Sequence, residues 1–139
     1  MSNIKGNIFY AQSGGVTPVI NATASGLIDA YFANRKYFNK FYAGKNGILG
    51  ALREELIDIS KENRSQLKLL KHTPGGAFGS CRLKLKDFEK SEREFQRIYE
   101  VFKAYNIKYF LCTIWWSYTG YKCNCIRIDR CIFRKQKVF

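Results

Sequence analysis

Apolar residues along this chain form two short runs and two stripes of helical period. One run, Ile8 to Tyr10, stands directly before a glycine pair, and the other spans Ile107 to Ile114. Apolar residues recur every three to four positions from Val19 to Phe32 and from Phe95 to Tyr105, which is typical of helices with one buried face. Because strands alternate with helices, the pattern predicts an α/β fold with buried, parallel strands.

Polar residues mark where the predicted helices begin and end. Asn34 closes the first helix, and Ser91 with Glu94 has the spacing of a capping box ahead of the second stripe. Ser60 is predicted to cap a further helix over Lys61 to Leu70.

The segment after the first helix combines an apolar stretch with several glycines. Phe38 to Tyr42 predicts a second strand. The glycines of Ala43 to Gly50 indicate a loop that passes close to other backbone or to a ligand. Leu52 to Ile59 fits either a helix or a loop.

The segment Ala11 to Ala22 joins the first strand to the first helix through Gly14 and Gly15. Glycines allow the backbone to approach an anion closely, and the N–H groups and dipole at a helix start attract negative charge. The segment therefore has the design of a phosphate-binding turn. A plain tight turn is the alternative, since glycine pairs mark turns of many kinds.

Composition limits the class of protein and of partner. The 139 residues, 46% of them hydrophobic, suffice for one ordinary domain, and the formal net charge of +13 favours an anionic partner. That partner could be a nucleic acid, a membrane surface or a phosphorylated small molecule. The sequence shows no apolar leader and no membrane-spanning run, so we expect a cytoplasmic protein without a membrane partner.

The residues after Trp115 differ in character from those before, which divides the chain into 1–114 and 115–139. This tail is basic and rich in cysteine, and it follows neither a strand nor a helix pattern. Cys123 and Cys125 lack the spacing and the further ligand of a zinc site, and the single His72 stands apart from cysteines and acids, so we predict no metal site. Free thiols are expected, because the chain has five cysteines and no secretory signal.

Three segments together resemble the phosphofructokinase family, and within it the pyrophosphate-dependent branch. They are Ala11 to Ala22, then Gly47 to Gly50 with Glu55 to Asp58, then Thr73 to Arg82. They occur in the family's order and rough spacing, and the similarity extends from Asn7 to about Phe110.

The resemblance implies the N-terminal part of the phosphofructokinase fold, a partial Rossmann-like, three-layer parallel sheet. It also implies the glycolytic transfer of a phosphoryl group from pyrophosphate or ATP to the 1-hydroxyl of fructose 6-phosphate, with Mg²⁺, by a homo-oligomer. On this resemblance Gly14 and Gly15 cradle the donor phosphates and Arg82 reaches the same phosphates. Overall likeness favours pyrophosphate, although the sequence leaves the choice between pyrophosphate and ATP open.

The chain departs from the family directly after Ile114. The family continues with a Gly-Gly-Asn-Asp-Ser or Gly-Gly-Asp-Asp-Ser turn that binds metal and donor, whereas this chain has Trp115-Trp116-Ser117. Tryptophan has the single codon TGG, and TGGTGG read one base later encodes Gly-Gly. We therefore hypothesise that 115–139 is out-of-frame translation.

This departure removes the metal-binding carboxylate, and the later Thr-Ile-Asp-Asn-Asp motif with its catalytic aspartate does not occur in the chain. No catalytic residue is therefore assigned, and we expect a truncated, inactive enzyme fragment. The alternative is a non-catalytic module, either regulatory or binding nucleic acid through the basic, aromatic tail. A nucleic-acid partner is the less favoured of these explanations, because a frame error accounts for the tail with fewer assumptions.

Overall fold

The computed structural model describes residues 5–83, 90–114 and 126–127, which form one sheet between two layers of helices. The strands and helices in chain order are β1 (Gly6–Ser13), α1 (Ile20–Ala33), β2 (Phe38–Gly44), α2 (Ile48–Arg53), β3 (Leu56–Asp58), α3 (Arg64–Leu69), α4 (Glu92–Ala104), β4 (Ile107–Ile114) and β5 (Ile126–Arg127). Helix α3 is flanked by two 3₁₀ turns, Ile59–Lys61 and Leu70–His72.

The sheet has the order β3-β2-β1-β4-β5. The central strand β1 runs parallel to both β2 and β4, so that Phe9 lies opposite Tyr42 on one side and Phe110 on the other. The edge strands β3 and β5 are antiparallel to their neighbours. The chain between Gly44 and Leu56 holds only the short helix α2 and is too short for the usual parallel crossover, so β3 returns antiparallel.

Both faces of β1 are buried, because successive side chains of a strand point to opposite faces. Ile8 and Tyr10 pack with α1, α3 and Phe78, whereas Phe9 and Ala11 pack with α2 and α4. The predicted three-layer α/β arrangement is confirmed, with an apolar core on each side of the sheet.

Several predicted boundaries agree with the structure. β4 covers the predicted run Ile107–Ile114, and Asn34 ends α1, its backbone N–H donating to the carbonyls of Ala30 and Tyr31. The ambiguous residues 52–59 divide between the end of α2, the edge strand β3 and the start of a 3₁₀ turn. The loop predicted over Ala43 to Gly50 instead ends in the first turn of α2.

The predicted cap at Ser60 is wrong. Helix α3 begins only at Arg64, and Asn63 caps it by accepting a hydrogen bond from the Ser65 N–H at 2.8 Å. The Ser60 hydroxyl instead accepts from the Phe41 N–H at 3.0 Å and bonds the Tyr31 hydroxyl at 3.1 Å. The Ser60 hydroxyl oxygen, which the local pattern predicted to cap a helix, is thus hydrogen-bonded to β2 instead.

The predicted capping box at α4 is also wrong in its chemistry. Ser91 is the N-cap residue, but its side chain makes no capping hydrogen bond to the helix. The Phe95 N–H donates to the Ser91 carbonyl at 3.1 Å, so the first turn closes through the backbone.

The predicted tail, 115–139, lies outside the described residues except for the two residues of β5, which pair with Tyr109 and Phe110. The zinc assessment at Cys123 and Cys125, the frameshift hypothesis and the division at residue 114 stay predictions. Within the described part of the chain, no helix has the length and apolar character needed to cross a bilayer.

Phe9→Ala should lower the free energy of unfolding by about 3–5 kcal/mol, because it opens a cavity in a closely packed core. The Phe9 side chain is fully buried, with ring centroids 5.1 Å from Phe102 and 5.7 Å from Phe110. Urea denaturation followed by circular dichroism measures the change. Leu69→Ala, at a side chain that is 61% exposed, is the control and should cost within about 0.5 kcal/mol.

Candidate functional site

The first glycine turn, Ser13 to Val16, leaves the carboxyl end of β1 and leads to α1. Gly14 has a φ of 90°, a left-handed conformation that a side chain would strain, so the sharp change of direction depends on glycine. Its N–H donates to the Cys81 carbonyl at 3.0 Å. This bond occupies the N–H that the sequence analysis assigned to donor phosphates, so in this structure Gly14 shapes the turn.

The backbone donors that follow Gly14, in the turn and directly after it, have no acceptor in the part of the chain that the structure describes. Among the described residues, the N–H groups of Gly15, Val16 and Thr17 make no hydrogen bond. They precede α1, whose dipole adds positive potential at its N-terminus. Consecutive free N–H groups a few residues ahead of a helix N-terminus offer donors for an anion.

The second glycine turn, Thr73 to Gly79, lies beside the first and is followed by Ser80 and Cys81. The Ser80 hydroxyl donates to the Gly14 carbonyl at 2.6 Å, and the Ser13 hydroxyl donates to the Cys81 carbonyl at 3.3 Å. Ser13 and Cys81 also form an isolated parallel β-bridge. These bonds hold together two segments that lie more than 60 positions apart in the chain.

Arg82 emerges directly from this junction and is exposed. Its Nη2 lies 3.5 Å from the position that a Cβ on Gly15 would occupy. The structure therefore brings together all three residues predicted for the site, Gly14, Gly15 and Arg82. A guanidinium and free backbone N–H groups share one small region of surface, which suits a phosphate or a diphosphate.

Gly47 belongs to the second of the three segments that resemble the family, and it lies beside Gln12, near the end of β1. It has a φ of 68°, and a Cβ there would overlap the carbonyl oxygen of Gln12. The neighbouring Asn46 N–H donates to the Phe78 carbonyl at 2.8 Å. The predicted close approach of this glycine to other backbone is confirmed, and the neighbour is β1 itself.

Two buried carboxamides at the site were missed by the sequence analysis. Asn21, in the first turn of α1, is 1% exposed and bonds to the second glycine turn through both of its side-chain polar atoms. Gln12 is fully buried, and its Nε2 donates to the Tyr10 hydroxyl at 3.4 Å, while its Oε1 has no partner among the described residues. The available signal was a polar residue on an otherwise apolar helix face or strand.

The described residues do not supply a metal site. No group of three or more His, Cys, Asp or Glu side chains that could hold an ion occurs among them. His72 is exposed in a 3₁₀ turn, and the carboxylates of Glu54 and Glu55 pair with Arg97 and Lys45. The chemistry that this arrangement offers is anion binding by backbone donors and one arginine.

Comparison with known proteins gives concordant matches. The profile of the Phosphofructokinase family matches residues 7–113. The pyrophosphate–fructose 6-phosphate 1-phosphotransferase of Halomonas elongata is 56% identical over 104 residues, and that of Xanthomonas campestris pv. campestris is 55% identical over 106 residues. These matches cover 75% and 76% of this chain and, in each case, 25% of the relative. The chain thus spans about a quarter of the length of these relatives.

A solved structure agrees with these matches. The crystal structure of the pyrophosphate-dependent phosphofructokinase from Marinobacter aquaeolei superposes with a TM-score of 0.69 at 54% identity, covering 78% of this chain and 26% of that one. Since the family profile spans most of the chain and relatives are more than half identical over three quarters of it, the chain belongs to the Phosphofructokinase family.

Proposed function

We propose that the first glycine turn and Arg82 bind the phosphates of pyrophosphate, the donor in a phosphoryl transfer to fructose 6-phosphate. The observation that carries the proposal is the position of the Arg82 guanidinium beside Gly15, next to backbone N–H groups that have no acceptor among the described residues. The names of the similar enzymes from Halomonas and Xanthomonas support pyrophosphate and fructose 6-phosphate as the substrates.

A protein promotes phosphoryl transfer mainly by positioning the phosphates and by placing positive charge near the oxygens that gain negative charge. A guanidinium offers several N–H donors in a planar fork that matches two phosphate oxygens. The N–H groups of Gly15 to Thr17 offer further donors without a side chain that must be ordered. Together they hold a diphosphate at the carboxyl end of the sheet.

The described residues do not fit a Mg²⁺ site, because they bring no group of carboxylates together near the turns. The proposal therefore assigns them anion binding alone and takes no step through the metal. The acceptor sugar phosphate and the homo-oligomer remain expectations from the family resemblance, and a cytoplasmic location remains an expectation from the sequence pattern.

Arg82→Ala should weaken pyrophosphate binding about 10- to 100-fold, since hydrogen bonds to charged groups contribute about 1.5–3 kcal/mol. Isothermal titration calorimetry with pyrophosphate, and separately with ATP, measures the effect and compares the two donors. Arg35→Ala is the matched control, because it removes the same charge just beyond the far end of α1, about 20 Å from the turn. Equal losses in the two variants would contradict a specific site and indicate general attraction to a basic chain.

Gly15→Asp should abolish the thermal stabilisation that pyrophosphate gives the protein. The new carboxylate would lie against the Arg82 guanidinium, 3.5 Å from the Cβ position, and would repel an anion. For a ligand at about 100 times its Kd the expected stabilisation of the unchanged protein is about 2.7 kcal/mol. Gly15→Ala is the control, because its Cβ makes only ordinary van der Waals contact with Arg82 and the response to pyrophosphate should persist.

This chain should bind pyrophosphate without converting fructose 6-phosphate to the bisphosphate. By the family resemblance, the catalytic aspartate belongs to a motif that does not occur among these residues. A coupled assay for fructose 1,6-bisphosphate, run beside the binding measurement, tests this. Turnover by the wild-type chain that disappears in Arg82→Ala would show that the expectation of inactivity is wrong.

A further inference from the structure

Asn21 forms a two-point connection between the start of α1 and the second glycine turn. Its Nδ2 donates to the Thr73 carbonyl at 2.9 Å, and its Oδ1 accepts from the Ala77 N–H at 2.8 Å. Both partners are backbone groups, 52 and 56 positions away in the chain. Because the side chain is 1% exposed, neither bond competes freely with water.

The middle of the second turn has few other connections. Thr73 is bonded back to the preceding helical segment, its N–H to the Leu70 carbonyl at 3.3 Å and its hydroxyl to the Leu69 carbonyl at 2.8 Å. The next backbone bond within the described residues joins the Gly79 N–H to the Gly76 carbonyl at 3.0 Å. Between Thr73 and Ala77, Asn21 supplies the hydrogen bonds to another element among the described residues, and at Phe78 the carbonyl accepts from the Asn46 N–H at 2.8 Å.

The part of the turn that Asn21 fixes lies against the first glycine turn. A Cβ on Gly76 would be 3.5 Å from a Val16 methyl group and 3.3 Å from the unpartnered Gln12 Oε1. Val16 carries one of the free N–H groups of the proposed site. A displacement of the second turn would therefore change the surroundings of Val16 and of the N–H that it carries.

The same turn leads to Arg82. Phe78, 7% exposed and edge-on to Tyr10 at 6.2 Å, anchors the chain in the core directly after Ala77. From there only Gly79 to Cys81 separate the anchor from the guanidinium. The position of Arg82 thus depends on a short segment that is held at Ala77 by Asn21, at Phe78 by the Asn46 N–H and at Cys81 by the first turn.

We propose that Asn21 is a positioning residue for the anion site. Its carboxamide holds the second glycine turn against α1, so that Arg82 and the N–H groups of Gly15 to Thr17 face the same bound phosphates. Asn21 itself does not contact the anion. This inference rests on the proposed pyrophosphate site, and the experiment is arranged so that the two can fail separately.

The test is a double-mutant cycle on the full chain, with pyrophosphate affinity measured by calorimetry and stability by urea denaturation. Asn21→Ala should weaken binding about tenfold in the wild-type background and about two- to threefold in the Arg82→Ala background, where only the N–H groups are left to be positioned, because residues that act as one unit are non-additive. The loss of stability should be the same in both backgrounds. A merely structural Asn21 would lower stability without this coupling in affinity.

Asn34→Ala is the matched control. It removes the same carboxamide at the other end of α1, where the Asn34 Nδ2 donates to the Ala30 carbonyl at 2.8 Å in an exposed position. Pyrophosphate affinity should be unchanged in this variant. Asn21→Ser replaces Asn21→Ala in the double-mutant cycle if the alanine variant does not fold. The serine hydroxyl is too short to reach both backbone partners.

A measurement on the wild-type chain completes the test. Pyrophosphate should slow hydrogen exchange of the Ala77 N–H about tenfold or more, because an anion held by both turns closes the segment that Asn21 connects. The proposed function would be overturned if pyrophosphate did not bind, or if Arg82→Ala left the affinity for pyrophosphate unchanged. Binding that depends on Arg82 but is unaffected by Asn21, equally affected in both backgrounds, or without effect on Ala77 exchange would overturn the role of Asn21 alone.

Discussion

Parallel pairing of β1 with both β2 and β4 places the carboxyl ends of three strands at one edge of the sheet. In open α/β sheets, ligands bind outside this edge, where the loops leave the strands. The central strand β1 is buried on both faces, and the chain changes direction at its carboxyl end through Gly14. The first glycine turn begins at that position, and Gly14 is hydrogen-bonded there to Ser80 and Cys81, the two residues directly before Arg82.

The closeness of backbone segments at this edge explains why glycine recurs there. Gly47 leaves no room for a side chain beside the Gln12 carbonyl, and Gly76 lies against Val16 and the Gln12 side chain. Hydrogen bonds from Gly14, Ser13 and Ser80 then close the contact between the two turns. The proposed anion binding rests on this local geometry, and the overall charge of +13 is consistent with an anionic ligand.

Much of the fold could be predicted from local patterns. The run Ile107–Ile114, the helix that ends at Asn34 and the glycine turn at Gly14 are encoded by residues close together in sequence, and the structure has each of them. Periodicity and turn chemistry suffice in such cases, because the physical cause lies within one element. The three residues expected at the site also lie together, since two of them are adjacent and the third follows a second glycine turn.

The residues that hold the site together could not be found in this way. Ser60 has the local signature of a helix cap, yet its hydroxyl bonds to Phe41 of β2 and to Tyr31 of α1. Asn21 sits on a helix face that the pattern marks as apolar, and its partners are more than 50 positions away. Local propensity does not indicate such partners, because the hydrogen-bond partners of a side chain are fixed only when the elements pack together.

The sequence by itself therefore determined β1, α1, β2, α4 and β4, the α/β class and the glycine turns, since these depend on hydrophobic period and on backbone freedom at single positions. The tertiary structure decided that the Gly14 N–H bonds within the protein, while the N–H groups of Gly15 to Thr17 find no acceptor in the described ranges 5–83, 90–114 and 126–127. It also decided that β3 runs antiparallel and that Asn21 connects the two turns. The physical reason is that hydrogen-bond partners between distant segments are fixed by packing, which no local pattern contains.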